Sequence, residues 1–366
     1  MTGQHRTLLP HALALLYGVA IVFASLEPFS PWIAPSADMP FWPLTPWPLR
    51  YARADLVINV LAYLPFGLFV ALVPRRATRG ARTALAFASG LTLSFLLETL
   101  QMFEPPRDAS LVDLAANTLG ALLGGAAGAS LVRAERIRRA LTAARTRVFL
   151  PGKLGDIGLA LMALWLVAQI NPGIPLFAVT FDVEHPALGI AAMPNVRDTA
   201  LVLIEAAESA FQLLGIGLFL TLLLRERRYI GGAVLLLVGI ALVAKGIAAV
   251  LVLKPAVWDS WLKPGVSFGM AAGLMVLLFV VFLPRPVQVA TCATVILASI
   301  LLPVVAIDLP STRAPLTLFN WRYGHLLNFN GLTQSVLLVW PIAAATWLFV
   351  LAGRPRWGDP DRVPEL

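Results

Sequence analysis

Ten stretches of about twenty mainly apolar residues recur along this chain, and they limit its fold more than any other feature. A helix crossing the hydrocarbon core of a bilayer needs about 20 such residues. The stretches fall at roughly 8–26, 55–73, 83–103, 111–132, 154–171, 200–224, 230–253, 265–283, 287–306 and 333–352. Of the 366 residues only 13% are charged, and mean hydropathy is +0.80. Soluble domains carry about 25% charged residues, so a soluble globular protein is excluded. The expected fold is all-α, a polytopic transmembrane bundle of about ten spans. A single cysteine, Cys292, excludes an internal disulfide framework, and four histidines leave little for a zinc site.

A net charge of +8 invites a nucleic-acid reading until the charges are placed. With ten spans, 19 of the 28 Lys and Arg residues fall in loops on one side. The other side holds Arg50, Arg53, Arg107, Arg197, Lys254, Lys263, Arg313 and Arg322, and Lys245 lies within a span. Basic loops stay in the cytoplasm, so both termini are expected there, in a bacterial inner membrane. The arginine-rich segment 133–153 is then suited to anionic phospholipid headgroups, and no nucleic-acid partner is expected. The first apolar stretch is long and weakly basic before it, which reads as a retained signal anchor.

The basic segment divides the chain into residues 1–150, four spans with their cytoplasmic linker, and residues 151–366, six spans. Between the first two spans, residues 27–54 hold seven prolines interleaved with Trp32, Phe41, Trp42 and Trp47. Proline restricts its own backbone and that of the residue before it. An extended, stiff outer loop with tryptophans at headgroup level is expected. A shift of 150 lays residues 55–125 faintly on 205–275, as a duplication with a degenerate second copy would. In that register Glu98, Arg107 and Asp113 meet Ala248, Val257 and Lys263.

Ionisable side chains inside spans are costly, and by default they mark function. Asp55 and Asn59 are four apart on span two, with Tyr63 a further four on. Glu98 and Gln101 are three apart on span three, and Asp113 and Asn117 four apart on span four. Spans two and four begin outside and span three ends there, so all six reach one depth. Above them runs the connector Glu104-Pro105-Pro106-Arg107-Asp108-Ala109-Ser110. An arginine fork suits a phosphate or carboxylate. The carboxylates suit a hard divalent cation such as Mg²⁺, or general acid–base work. The plainer alternative is a lock, in which Glu98 or Asp113 pairs with Arg107 to hold a helical hairpin.

Two motifs carry a family resemblance: Asp55-x3-Asn59-x5-Pro65-x-Gly67, and Glu98-x2-Gln101-x-Phe103-x3-Arg107-x2-Ser110-x2-Asp113-x3-Asn117-x2-Gly120-x3-Gly124. Over residues 55–124 the chain resembles the VanZ-like membrane proteins. The resemblance implies an integral membrane protein, in some cases linked to glycopeptide tolerance or envelope glycan systems, and implies no established reaction.

The leading expectation is non-catalytic: recognition or movement of an envelope amphiphile, such as a lipid-linked glycan precursor, at the outer leaflet. Arg107 would bind the anionic head. Asp55, Glu98 and Asp113 would orient it or hold a cation, while Asn59, Gln101, Ser110 and Asn117 would supply hydrogen bonds. The alternatives are a membrane-embedded transferase or hydrolase with Glu98 or Asp113 as base, and a scaffold for an envelope assembly complex. Two weaker signals remain. The loop Asn320–Gly331, rich in aromatic and amide side chains, reads as a sugar-binding or headgroup-packed loop, and Lys245 is expected to pair with Glu205 or Glu208.

Overall fold

The structure is a computed structural model that describes residues 8–26, 29, 31–35, 41–44, 53–74, 76–104, 109–174, 176–177, 194–305 and 325–353. Its described residues form helices and no strand. In chain order the helices are α1 (Leu9–Leu26), α2 (Arg53–Leu72), α3 (Arg79–Gln101), α4 (Leu111–Arg133), α5 (Glu135–Val148), α6 (Gly152–Gln169), α7 (Pro194–Leu223), α8 (Ile230–Val252), α9 (Pro264–Val280), α10 (Arg285–Val305) and α11 (His325–Ala352). Seven of the described helices are long and apolar enough to cross a membrane, and α2, α9 and α11 contribute shorter apolar stretches. Together they occupy the ten segments expected from hydropathy, and the protein is an all-α polytopic bundle. The surface agrees: α8 exposes Leu235, Leu236, Val243, Ile247, Val250 and Leu251, and α9 exposes Phe268, Met275 and Phe279. Apolar patches of that extent suit hydrocarbon rather than water.

The chain divides into two compact units, Met1–Ala160 with Trp321–Thr333, and Leu161–Asn320 with Gln334–Leu366. In the first, α4 packs against α2 without intervening side chains. Gly120, Gly124 and Gly128 lie on the carbonyl oxygens of Val60, Leu64 and Leu68. On another side of α4, Gly125 faces the Ala86 methyl of α3, and Gly90 of α3 faces the Ala121 methyl. Small residues at helical spacing let backbones touch, the usual solution where lipid supplies no hydrophobic drive between helices. Ile21, Leu26, Tyr63, Phe66, Leu97 and Ala121 fill the core around this seam.

The second unit repeats the device. Gly265, Gly269 and Gly273 of α9 lie on the carbonyl oxygens of Val202, Ala206 and Ala210 of α7. These glycines stand 145 positions after Gly120, Gly124 and Gly128, so the likeness in packing follows a different register from the 150-residue shift. Phe219 stacks between Trp340 and Trp347, at centroid distances of 5.6 and 4.6 Å. Trp340 Nε1 donates to the Leu161 carbonyl at 2.8 Å.

Several details depart from the sequence reading. The basic segment is not plain linker: α5 is amphipathic, with Ile137 and Leu141 exposed four residues apart among arginines. Not every basic-loop arginine faces headgroups. Arg82 is buried and donates to the Ala71 carbonyl at 2.7 Å, and Arg145 donates to Leu150 O and the buried Asp156 at 2.7 and 2.8 Å. In the outer loop Trp32 is exposed as expected, whereas Trp42 is buried in a 3-10 turn. Its Nε1 donates to Thr99 Oγ1 at 3.2 Å and its ring meets Phe95 at 5.4 Å, so α3 takes it from the headgroups. Lys245 does not bond to Glu205 or Glu208. Its Nζ donates to the carbonyls of Asn171 and Ile174 at 2.7 and 2.8 Å, in the turn after α6, where the backbone has left the helical ladder.

Candidate functional site

Ser110 starts the site, because it starts α4. Its Oγ accepts from the amides of Val112 and Asp113 at 3.2 and 3.4 Å, an N-cap of the usual kind. Its own amide donates to Glu98 Oε2 at 2.8 Å. Glu98 lies in the last turn of α3, where the helix dipole disfavours a negative charge. The adjoining amino-terminal end of α4 offsets that cost. Ser110 is therefore a capping residue whose backbone, rather than hydroxyl, reaches the acidic group.

Across the glycine seam, Asn59 Nδ2 donates to Asp113 Oδ1 at 2.7 Å. The contact is possible because Asn59 precedes Val60, the first residue on which α4 rests. One turn further along α4, Asn117 Nδ2 donates to Ser94 Oγ of α3 at 3.0 Å, while its buried Oδ1 has no hydrogen-bond partner among the described residues. Tyr63 lies beside Ser94 and within electrostatic reach of Glu98. Asn59, Tyr63, Ser94, Glu98, Asp113 and Asn117 thus converge from α2, α3 and α4 at the level expected from chain direction.

Gln101 does not join them. Its Nε2 donates to the Ser25 carbonyl at 2.9 Å and ties the end of α3 to the end of α1. The side chain of Asp55 and the whole of Arg107 lie outside the described residues, as does the loop Asn320–Gly331 apart from the backbone of the α11 start. Ser94, missed in the sequence, carried a usable signal: it lies four residues before Glu98 on the same face of α3. The roof is partly described. Ile33 donates its amide to the Phe103 carbonyl at 2.8 Å, and Glu104 is buried. Among the described residues no group of three or more His, Cys, Asp or Glu is placed to hold a metal ion.

Residues 7–131 match the family model VanZ/LLP1. The N-terminal half of this chain carries a VanZ-like segment. It takes in α1 and the proline-tryptophan loop as well as the motif region from 55 to 124. The family likeness belongs to that segment, and the chain as a whole is of membrane type, with several apolar helices. No curated protein and no solved structure matches it.

The VanZ-like segment offers a compact set of donors and acceptors at the end of a tightly sealed helix trio. Asn117 Oδ1 is an acceptor in waiting, and Asp113 sits in the first turn of α4, where its charge is stabilised. Such a set can read hydroxyls and a charged head, or hold a helix hairpin shut.

Proposed function

We propose that the VanZ-like segment recognises or moves an envelope amphiphile, such as a lipid-linked glycan precursor, at the outer leaflet of a bacterial inner membrane. Both termini lie in the cytoplasm, as the basic loops require. Arg107 takes the anionic head by its fork. Asp55, Glu98 and Asp113 orient the arginine or hold a divalent cation, and Asn59, Ser110 and Asn117 bond sugar hydroxyls. Gln101 supports the site from behind by bracing α1. A contribution to glycopeptide tolerance follows if the amphiphile is a glycopeptide target.

One observation carries this reading: polar side chains from three helices meet at one level, and Asn117 Oδ1 among them lacks a partner. A pure lock would satisfy its buried acceptors, because an unpaired one costs about 1–3 kcal/mol. A ligand hydroxyl or amide that donates to Asn117 removes the cost.

The test is the lipid that co-purifies with the wild-type protein and with Arg107→Ala, at matched expression and folding. The expected result is a polyprenyl phosphate or lipid-linked sugar enriched with wild type and depleted in the variant. Identical bulk phospholipids in both preparations would contradict it. The enzymatic reading predicts a different signature: Glu98→Gln keeps the bound lipid and abolishes its turnover.

A further inference from the structure

The second unit holds ionisable side chains that the VanZ-like segment does not use. On α7, Glu205, Glu208, Ser209 and Gln212 follow one another at helical spacing on one face, and all four are buried. Three of them are satisfied. Lys263, the residue before α9, donates through Nζ to Glu205 Oε1 at 2.8 Å. Ser209 Oγ donates to the Leu176 carbonyl at 3.3 Å, and Gln212 Nε2 to Ser299 Oγ at 2.9 Å. Glu208 is the exception. It is 2% exposed, and among the described residues its Oε2 has no hydrogen-bond partner.

An ionised carboxylate oxygen is expensive at such a place, inside a segment apolar enough to span a membrane. Among the described residues the charged groups that act on Glu208 are Glu205, which repels it, and Lys263, which already bonds Glu205. From α8, Lys245 is engaged by the carbonyls of Asn171 and Ile174. From α10 the neighbouring contact is Ser299, which carries no charge.

We propose that Glu208 is a proton-binding site of the second unit. Its neutral carboxyl releases one proton to water, and Lys263 moves from Glu205 to the carboxylate so formed; uptake of a proton reverses both steps. The packing permits the motion. Lys263 joins α9 through Pro264, and Gly265 at the start of α9 lies against the Glu205 side chain as well as the Val202 carbonyl, which keeps the ammonium beside this face of α7. Further along the contact the buried Leu277 of α9 seats on Gly217 of α7, so the two helices keep their register. Glu205 and Glu208 are three residues apart, a step of about 4.5 Å along the helix. Proton release therefore moves the Lys263 ammonium, on its flexible side chain, along α7 by up to that distance. This site stands independently of lipid recognition by the VanZ-like segment.

The full-length protein in lipid nanodiscs tests it in two ways. A neutral buried carboxyl adds its O–H across one C=N bond of dicyclohexylcarbodiimide, and the acyl group then shifts to nitrogen to leave a stable N-acylurea, which peptide mass mapping locates. The expected adduct is on Glu208, falling about tenfold per pH unit above the midpoint of titration. In Lys263→Met, Glu205 becomes a second target. Independently, the infrared carbonyl band of a neutral carboxylic acid should be present in wild type and lost in Glu208→Gln, a variant of nearly the same shape. Identical bands in the two proteins would overturn the proposal. So would protection of Glu208 from the reagent by sodium at fixed pH, which would mark a metal-cation site instead.

Discussion

Asn59 and Asp113 meet at 2.7 Å across the α2–α4 seam, and the size of that bond separates a lock from a binding site. Hydrogen bonds between helices in membranes contribute about 0.6 kcal/mol on average and about 1.7 at most. Asn59→Ala should therefore lower stability by no more than about 2 kcal/mol, a small shift in thermal unfolding in detergent. As a ligand contact it should deplete the bound amphiphile far more than that shift accounts for. If lipid content follows stability alone, the pair is a lock. Glu98→Gln is the sharper probe of chemistry, since the amide oxygen still accepts from Ser110 and α4 still starts in place. Binding should weaken if Glu98 orients Arg107 or holds a cation, and survive with turnover lost if Glu98 is a catalytic base. At this scale the sequence is legible in part. Chain direction and spacing bring Asn59, Glu98, Asp113 and Asn117 to one depth, but rotation about each helix axis decides the partners. Nothing in hydropathy encodes that Gln101 turns to Ser25, or that Lys245 turns to backbone carbonyls, because a carbonyl has no letter in a sequence.

Helices α2 and α4 hold the site because glycine lets them touch. A side chain on Gly124 would fall on the Leu64 carbonyl and the Leu68 amide, both backbone atoms that cannot turn aside. Gly80, near the start of α3, has nothing within 4 Å of the same position. Gly124→Leu should cost about 3 kcal/mol or more, beyond ordinary overpacking of side chain on side chain, whereas Gly80→Leu should leave thermal unfolding almost unchanged. Equal effects would mean that the seam is not what holds α4. The stripe Gly120-x3-Gly124-x3-Gly128 is readable from spacing, and so are the ten apolar segments, since each is a long composition signal. Helix ends are less so. Helix α7 begins at Pro194 and α11 at His325, each several residues before the apolar window opens, because a helix continues past its apolar stretch wherever the backbone can still bond to itself. Helix α5 hides in a charge run, betrayed only by Ile137 and Leu141 four residues apart.

For the molecule as a whole, orientation is the premise on which an outer-leaflet site depends. Cys292 is buried, and its thiol donates to the Gly215 carbonyl at 3.3 Å, so it makes a quiet background for introduced cysteines. Phe103, exposed beside the roof of the site, and Thr142, exposed on α5, belong to opposite faces if the basic loops are cytoplasmic. In whole cells Phe103→Cys should react with an impermeant maleimide and Thr142→Cys should not; the reverse pattern would invert the topology. The central claim, that the polar cluster of the VanZ-like segment binds an anionic envelope amphiphile, is tested most directly by native mass spectrometry. The purified protein is titrated with a polyprenyl phosphate against phosphatidylglycerol. Wild type should prefer the polyprenyl phosphate, and Arg107→Ala and Asp113→Ala should each erase the preference while remaining folded. Equal affinity for the two lipids in wild type, or a preference that survives both substitutions, would contradict it.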